Sequence, residues 1–144
     1  MMDTVFSSIS WEARTTPAYI TSLKPNEIFV FGSNLAGNHA GGAARLAYVK
    51  WGAVWGQGVG LQGQTYAIPT MHGGVEAIRP YVEEFIRFAE AHPEQVFLVT
   101  EIGCGIAGFT PDEIAPLFAA AVPVQNVFLP ERFWEVLKNI SAKA

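Results

Sequence analysis

Two glycine-rich stretches carry the residue types that could hold a small ligand or act on one. The first runs Gly32-Ser33-Asn34-Leu35-Ala36-Gly37-Asn38-His39-Ala40-Gly41-Gly42, and the second Gly103-Cys104-Gly105-Ile106-Ala107-Gly108. Glycine lets a backbone turn sharply and come close to a ligand. Successive N–H groups can then converge on one anion. Hydrogen bonds to a charged group contribute about 1.5–3 kcal/mol each, and micromolar binding needs about −8 kcal/mol in total. A few such bonds therefore reach useful affinity, and two loops facing each other suit a diphosphate. Tight turns between strands and helices also use glycine, so either loop alone would say little.

The side chains in and beside these loops define the candidate chemistry. Asn34 can donate and accept at once, so it could bind a ribose hydroxyl or cap its own loop. His39 could serve as an acid, a base or a phosphate contact. Glu101 stands just before the second loop, as a general base or as the partner of an arginine such as Arg45. Cys104 lies near a helix start, where a thiolate would be stabilised. The sequence places no base beside it, so a small buried residue in a tight loop is the favoured reading. His72 and His92 have weaker claims. No His or Cys pair has metal-ligand spacing, so neither a metal ion nor a cofactor is expected. Gly58-Val59-Gly60-Leu61-Gln62-Gly63 matches G-x-G-x-x-G. A strand follows it and none clearly precedes it, so it is not a dinucleotide fingerprint.

The elements that position these residues follow from periodicity and breakers. Ile28–Phe31 is apolar throughout, as in a strand buried on both faces. Ala43-Ala44-Arg45-Leu46-Ala47 favours a helix from about Gly41 to Lys50. The glycine-rich run 51–64 reads as an extended, mobile loop: a flap over the ligand, or a connector. Thr65–Ile68 is a short strand closed by Pro69. Val75, Ile78, Val82, Phe85, Ile86 and Ala89 follow a helical period that ends near His92, before Pro93. Val96–Thr100 is a further buried strand. Thr110-Pro111-Asp112-Glu113 has the form of a capping box with proline in the first turn. The helix it starts buries Ile114, Leu117, Phe118 and Ala121 and stops before Pro123. Val127–Leu129 is the last strand, and Glu131 to about Ile140 the last helix, with Phe133, Leu137 and Ile140 on one face. Val5–Trp11 reads as a short strand or little structure, Ala18–Thr21 as a turn or short strand, and Pro25-Asn26 as a turn. The order after residue 27 is thus β-α-β-α-β-α-β-α, an α/β fold with a mostly parallel sheet between helices. Right-handed crossovers bring the loops after the strands to one edge, where ligands bind in such sheets.

A chain of 144 residues, half of them hydrophobic and 15% charged, fits one globular domain with a full core. The net charge of −4 and nine scattered basic residues argue against duplex nucleic acid. They leave a small nucleotide open, because backbone N–H groups can hold phosphate. A single cysteine excludes an internal disulfide and fits a reducing, cytoplasmic home. Neither a signal peptide nor a membrane span is expected.

IFVFGSN, the loop to GGAARLA, YAIPTM, and VTEIGCGIAGF followed by a helix and NVFLP resemble the macrodomain family over about Tyr19 to Pro130. The nearest likeness is to a small bacterial and phage branch with FVFGSNLAG-type sequences. The resemblance implies a three-layer α/β/α sandwich that binds ADP-ribose across both loops. It implies that Asn34 contacts the distal ribose. Gly41 and Gly42 would end the first phosphate loop, with Gly32 and Ser33 at its start. Gly105 and Gly108 would form the second, with Gly103, Cys104, Ile106 and Phe109 beside them. Three positions depart from the family pattern. Tyr19 stands where an aspartate binds the adenine amine, and could stack on a base instead. Ala107 stands where an aromatic often covers the distal ribose. Ala43 and Ala44 stand where one hydrolytic class has an aspartate, so that mechanism does not carry over. The leading expectation is a module that binds ADP-ribose or a related nucleotide diphosphate. The second is a hydrolase of ADP-ribose-type linkages using His39 or Glu101. The third is a scaffold that keeps the fold without a nucleotide.

Overall fold

A computed structural model describes residues 11–143 of the chain. After a 3-10 turn at Trp11–Arg14 come strand β1 (Glu27–Ser33), helix α1 (Gly42–Lys50), β2 (Gly60–Gln62), β3 (Thr65–Pro69) and α2 (Val75–Ala91). Then follow β4 (Val96–Val99), α3 (Pro111–Ile114), a 3-10 helix (Ala115–Ala121), β5 (Val127–Phe128) and α4 (Glu131–Lys143). The strands form one sheet in the order β2-β3-β1-β4-β5. β1 pairs in parallel with β3 and β4, β4 with β5, and only β2 runs antiparallel.

The unbroken apolar run of β1 is explained by burial on both faces. Ile28 and Val30 pack into the larger core with Ile78, Val82 and Phe85 of α2, Leu117 and Phe118 of the 3-10 helix, and Phe133 and Trp134 of α4. Phe29 and Phe31 point the other way, into a smaller core with Ala44 and Ala47 of α1, Ala53 and Ala67. Each fully buried large side chain is worth about 1.5–3 kcal/mol relative to exposure. Helices on both faces make the three-layer α/β/α sandwich that the sequence predicts.

The differences from the sequence reading have local causes. The 51–64 run is not one extended loop, because Gly60–Gln62 pairs with Thr65–Ala67 as an edge hairpin. Gly63, at φ +61°, makes the turn. The capping box forms, with Glu113 N–H donating to Thr110 Oγ1 at 3.3 Å and Thr110 N–H to Glu113 Oε1 at 2.9 Å. The α-helix nevertheless lasts one turn, since Pro116 has no N–H and its ring clashes with the preceding turn, so the segment tightens to 3-10. In α4 Phe133 and Leu137 are buried as expected and Trp134 is fully buried beside them, while Ile140 stays 44% exposed. Ala18 and Tyr19 form a bend, not a strand, and residues 5–10 lie outside the described residues. No helix among the described residues is long and apolar enough to cross a membrane.

Arg14 fastens the start of the described chain to its end. Its guanidinium is buried and donates to the carbonyls of Ala121, Val122, Val124 and Val127. It lies 5.0 Å from the Trp134 ring, and Trp134 Nε1–H donates to the Arg14 carbonyl at 2.9 Å. A cation at the end of the 3-10 helix meets the carbonyl-rich, partially negative end of that helix. The next residue, Thr15, forms a parallel bridge with Leu129.

Candidate functional site

Parallel pairing brings the ends of β1, β3 and β4 to one edge, and the two glycine-rich loops leave from it. Their bases touch at Gly32, where a Cβ would stand 3.3 Å from Thr70 Oγ1 and 3.4 Å from the Gly103 nitrogen. Between them opens a cleft of about 410 Å³, lined by Gly32 to Asn34, Asn38, Ala40 to Ala44, Thr70, Met71, Thr100 to Gly103 and Gly105 to Ala107. Ile106, 83% exposed, reaches across the cleft. Its Cδ1 is 3.9 Å from where a Gly41 Cβ would lie.

Both walls present unused backbone donors. Helix α1 starts at an extended Gly41 with no side-chain cap and no acidic residue in its first turn. The N–H groups of Gly42, Ala43 and Ala44 find no hydrogen-bond partner among the described residues. The second loop is tied by Cys104 N–H to the Glu101 carbonyl, Gly108 N–H to that of Gly105 and Phe109 N–H to that of Gly103. The N–H groups of Gly105, Ile106 and Ala107 are among those left over, again without a partner among the described residues. Six free donors thus belong to residues that line one cleft, three of them at the positive end of a helix.

Asn34 lines the cleft and also caps its loop. Its Oδ1 accepts from Asn38 N–H at 2.9 Å, and its Nδ2 donates to the Asn38 carbonyl at 3.0 Å. One N–H and one lone pair remain for a ligand. Ser33 offers only backbone, because its buried hydroxyl donates to the Gly58 carbonyl at 2.5 Å. Phe109 and Gly108 do not line the cleft: Phe109 packs against the larger core, and Gly108, at φ +85°, closes the loop.

His39 is the main correction. It is 1% exposed and sits behind the first loop, not in the cleft. Its Nε2 lies 2.9 Å from the Val54 carbonyl and 3.1 Å from that of Gln57, so Nε2 carries the proton and donates. Its ring meets Phe31 edge to face at 5.3 Å. His39 therefore pins the 51–59 segment to the first loop, and the structure does not bring it together with Glu101. Cys104 is also not the activated thiol that a helix start could have made. It is half-buried against the larger core, and burial pushes its thiol pKa up to about 11.

Glu101 stays at the cleft, with a partner the sequence did not single out. Arg132, from the first turn of α4, donates Nε–H to Oε2 at 2.7 Å and Nη2–H to Oε1 at 2.5 Å. These bonds hold the Glu101 carboxyl below its ordinary pKa. Glu101 also lines a second cavity of about 790 Å³, with Thr15 to Thr21, Phe29, Leu46 and Pro130 to Arg132. The two cavities share Ala43, Thr100 and Glu101. Tyr19 lines the second one and is 91% exposed. Among the described residues, no three His, Cys, Asp or Glu side chains gather closely enough to hold a metal ion.

Sequence reasoning also missed what supports the first loop. The 51–59 segment is bonded to it, with Gly56 N–H donating to the Gly37 carbonyl at 2.9 Å. Gly37 and Gly58 allow backbone contact: a Cβ on Gly58 would lie 2.2 Å from the Asn34 oxygen. Gln62 accepts from Val54 N–H at 2.7 Å and donates to the Gln57 carbonyl. His72 Nε2 accepts from Leu35 N–H at 2.7 Å. The available signal was position, since His72 and Arg132 both follow strands that end on the site's edge.

The chain matches no protein-family model, no curated protein and no solved structure.

Proposed function

We propose that the cleft binds the diphosphate of ADP-ribose or a related nucleotide, as the resemblance to macrodomains implies. The observation that carries this reading is the set of six unpartnered N–H groups on the α1 N-terminus and the second loop, all from residues lining one cleft. Backbone donors fixed in advance hold phosphate oxygens without the cost of ordering long side chains. The second cavity leaves room for a nucleoside beyond the diphosphate, with Tyr19 at its rim.

Binding stands ahead of hydrolysis on physical grounds. Glu101 is the one acid or base among the residues lining the cleft, and its pairing with Arg132 makes it a weaker base than a free carboxylate.

Calorimetry with ADP-ribose, NAD and AMP tests the reading on the parent protein and on Gly105→Glu. A Cβ at Gly105 meets nothing within 4 Å, and its φ lies outside the left-handed range, so the variant keeps its fold. Its carboxylate would repel phosphate. The expected result is micromolar ADP-ribose binding by the parent, weakened by about 100-fold or more in Gly105→Glu. No heat with any of the three ligands on the parent would sink the reading.

A further inference from the structure

Glu101 is one of three residues that line both cavities, and its chemistry is unlike that of the other two. A nucleoside diphosphate laid along the groove puts its phosphates between the glycine loops and its base in the larger cavity. The sugar joining them then falls at the shared wall of Ala43, Thr100 and Glu101. Alanine offers no polar group, and the Thr100 hydroxyl is committed to the Val30 carbonyl at 2.7 Å. That bond uses the hydroxyl proton and leaves Thr100 a single acceptor oxygen, so the carboxylate is the one group on this wall with two acceptor oxygens side by side to meet a diol.

We propose that Glu101 reads an unmodified vicinal diol on the ribose nearest the base, and so selects ligands whose 2′- and 3′-hydroxyls are both free. This rests on the nucleotide reading above. An ionised carboxylate only accepts hydrogen bonds, at two oxygens with about four lone-pair sites. Arg132 takes one site on each oxygen through its fork. One site on each oxygen remains, the complement of two hydroxyl donors side by side. The side chain is 35% exposed, so those sites are reachable. A phosphate on either hydroxyl removes a donor and sets a negative charge against the carboxylate. A deoxy sugar leaves one acceptor unmatched. Arg132 acts here as a positioning residue, because it fixes the carboxylate plane and offsets its repulsion of the diphosphate.

The test is calorimetry of the full chain with three ligands: ADP-ribose, its analogue lacking the adenosine 2′-hydroxyl, and its analogue phosphorylated there. The parent is expected to bind ADP-ribose about 10-fold or more tightly than either analogue, the range for one charge-assisted hydrogen bond. Glu101→Gln, checked for an unchanged melting temperature, is expected to lose most of that preference. Arg132→Gln is expected to weaken all three ligands, and Glu101→Gln added to it to restore part of the loss. Equal binding of the three ligands by the parent overturns the diol reading and leaves the nucleotide reading standing. So does a preference that persists undiminished in folded Glu101→Gln. No binding of ADP-ribose by the parent removes both.

Discussion

Cys104 and Glu101 lie three residues apart, and their surroundings drive them in opposite directions. Burial raises the Cys104 thiol from its ordinary value of 9.0 to about 11, with the nearby Glu101 charge adding to the shift. Two units correspond to about 100-fold less thiolate at neutral pH, and the thiolate is the reactive form. Alkylation of Cys104 by iodoacetamide is therefore expected about 100-fold slower than that of a free thiol at the same pH. Its rate should still be climbing above pH 10. A rate that levels off near pH 9 would show an ordinary thiol. Glu101 is kept ionised by Arg132 across the same range, so the loop offers a fixed negative charge beside an inert sulfur. The sequence placed both residues at the site. It could not say which was charged, because Arg132 arrives from α4, 31 positions away along the chain.

At the scale of elements, the first loop owes its shape to a segment that does not touch the cleft. The 51–59 run holds it through His39, Ser33 and the Gly56–Gly37 bond, with Gly58 lying against its backbone. Gly58→Ala keeps an ordinary backbone conformation but drives a methyl into the Asn34 and Leu35 carbonyls. A loss of about 1–3 kcal/mol is expected, typical of overpacking, measured by urea unfolding. Weaker ADP-ribose binding should accompany it, although Gly58 does not line the cleft. Unchanged stability and affinity together would show that the two segments are independent. This support was illegible because spacing and periodicity report regular elements. Irregular backbone held by side-chain bonds, such as those of Gln57 and Gln62, has no period. The regular elements were legible for the opposite reason: β1 is apolar because both faces are covered, and α2 repeats every turn because one face is buried.

Across the whole molecule, the two helical layers are unequal. Behind the sheet, α2, the 3-10 helix and α4 bring Phe85, Phe118, Phe133 and Trp134 into a broad aromatic core. In front, α1 brings only Ala44 and Ala47 as buried side chains. The unbroken apolar run of β1 predicted that both faces are covered, but not how thickly, since alanine and tryptophan both count as apolar. The thickness matters because the free energy of opening a layer scales with the apolar surface it exposes. Detaching α1 uncovers the smaller core around Phe29 and Phe31 and leaves the broad aromatic core covered, and α1 is one wall of the cleft. In native-state hydrogen exchange read by mass spectrometry, amides of residues 42–50 should exchange through a local opening. Those of 75–91 should wait for global unfolding. Saturating ADP-ribose should slow the first group far more than the second, and equal rates for both groups without ligand would contradict this. A ligand seated on the α1 N-terminus would thus supply the anchorage that two alanines do not, making the thin layer the part of the fold whose persistence reports occupancy.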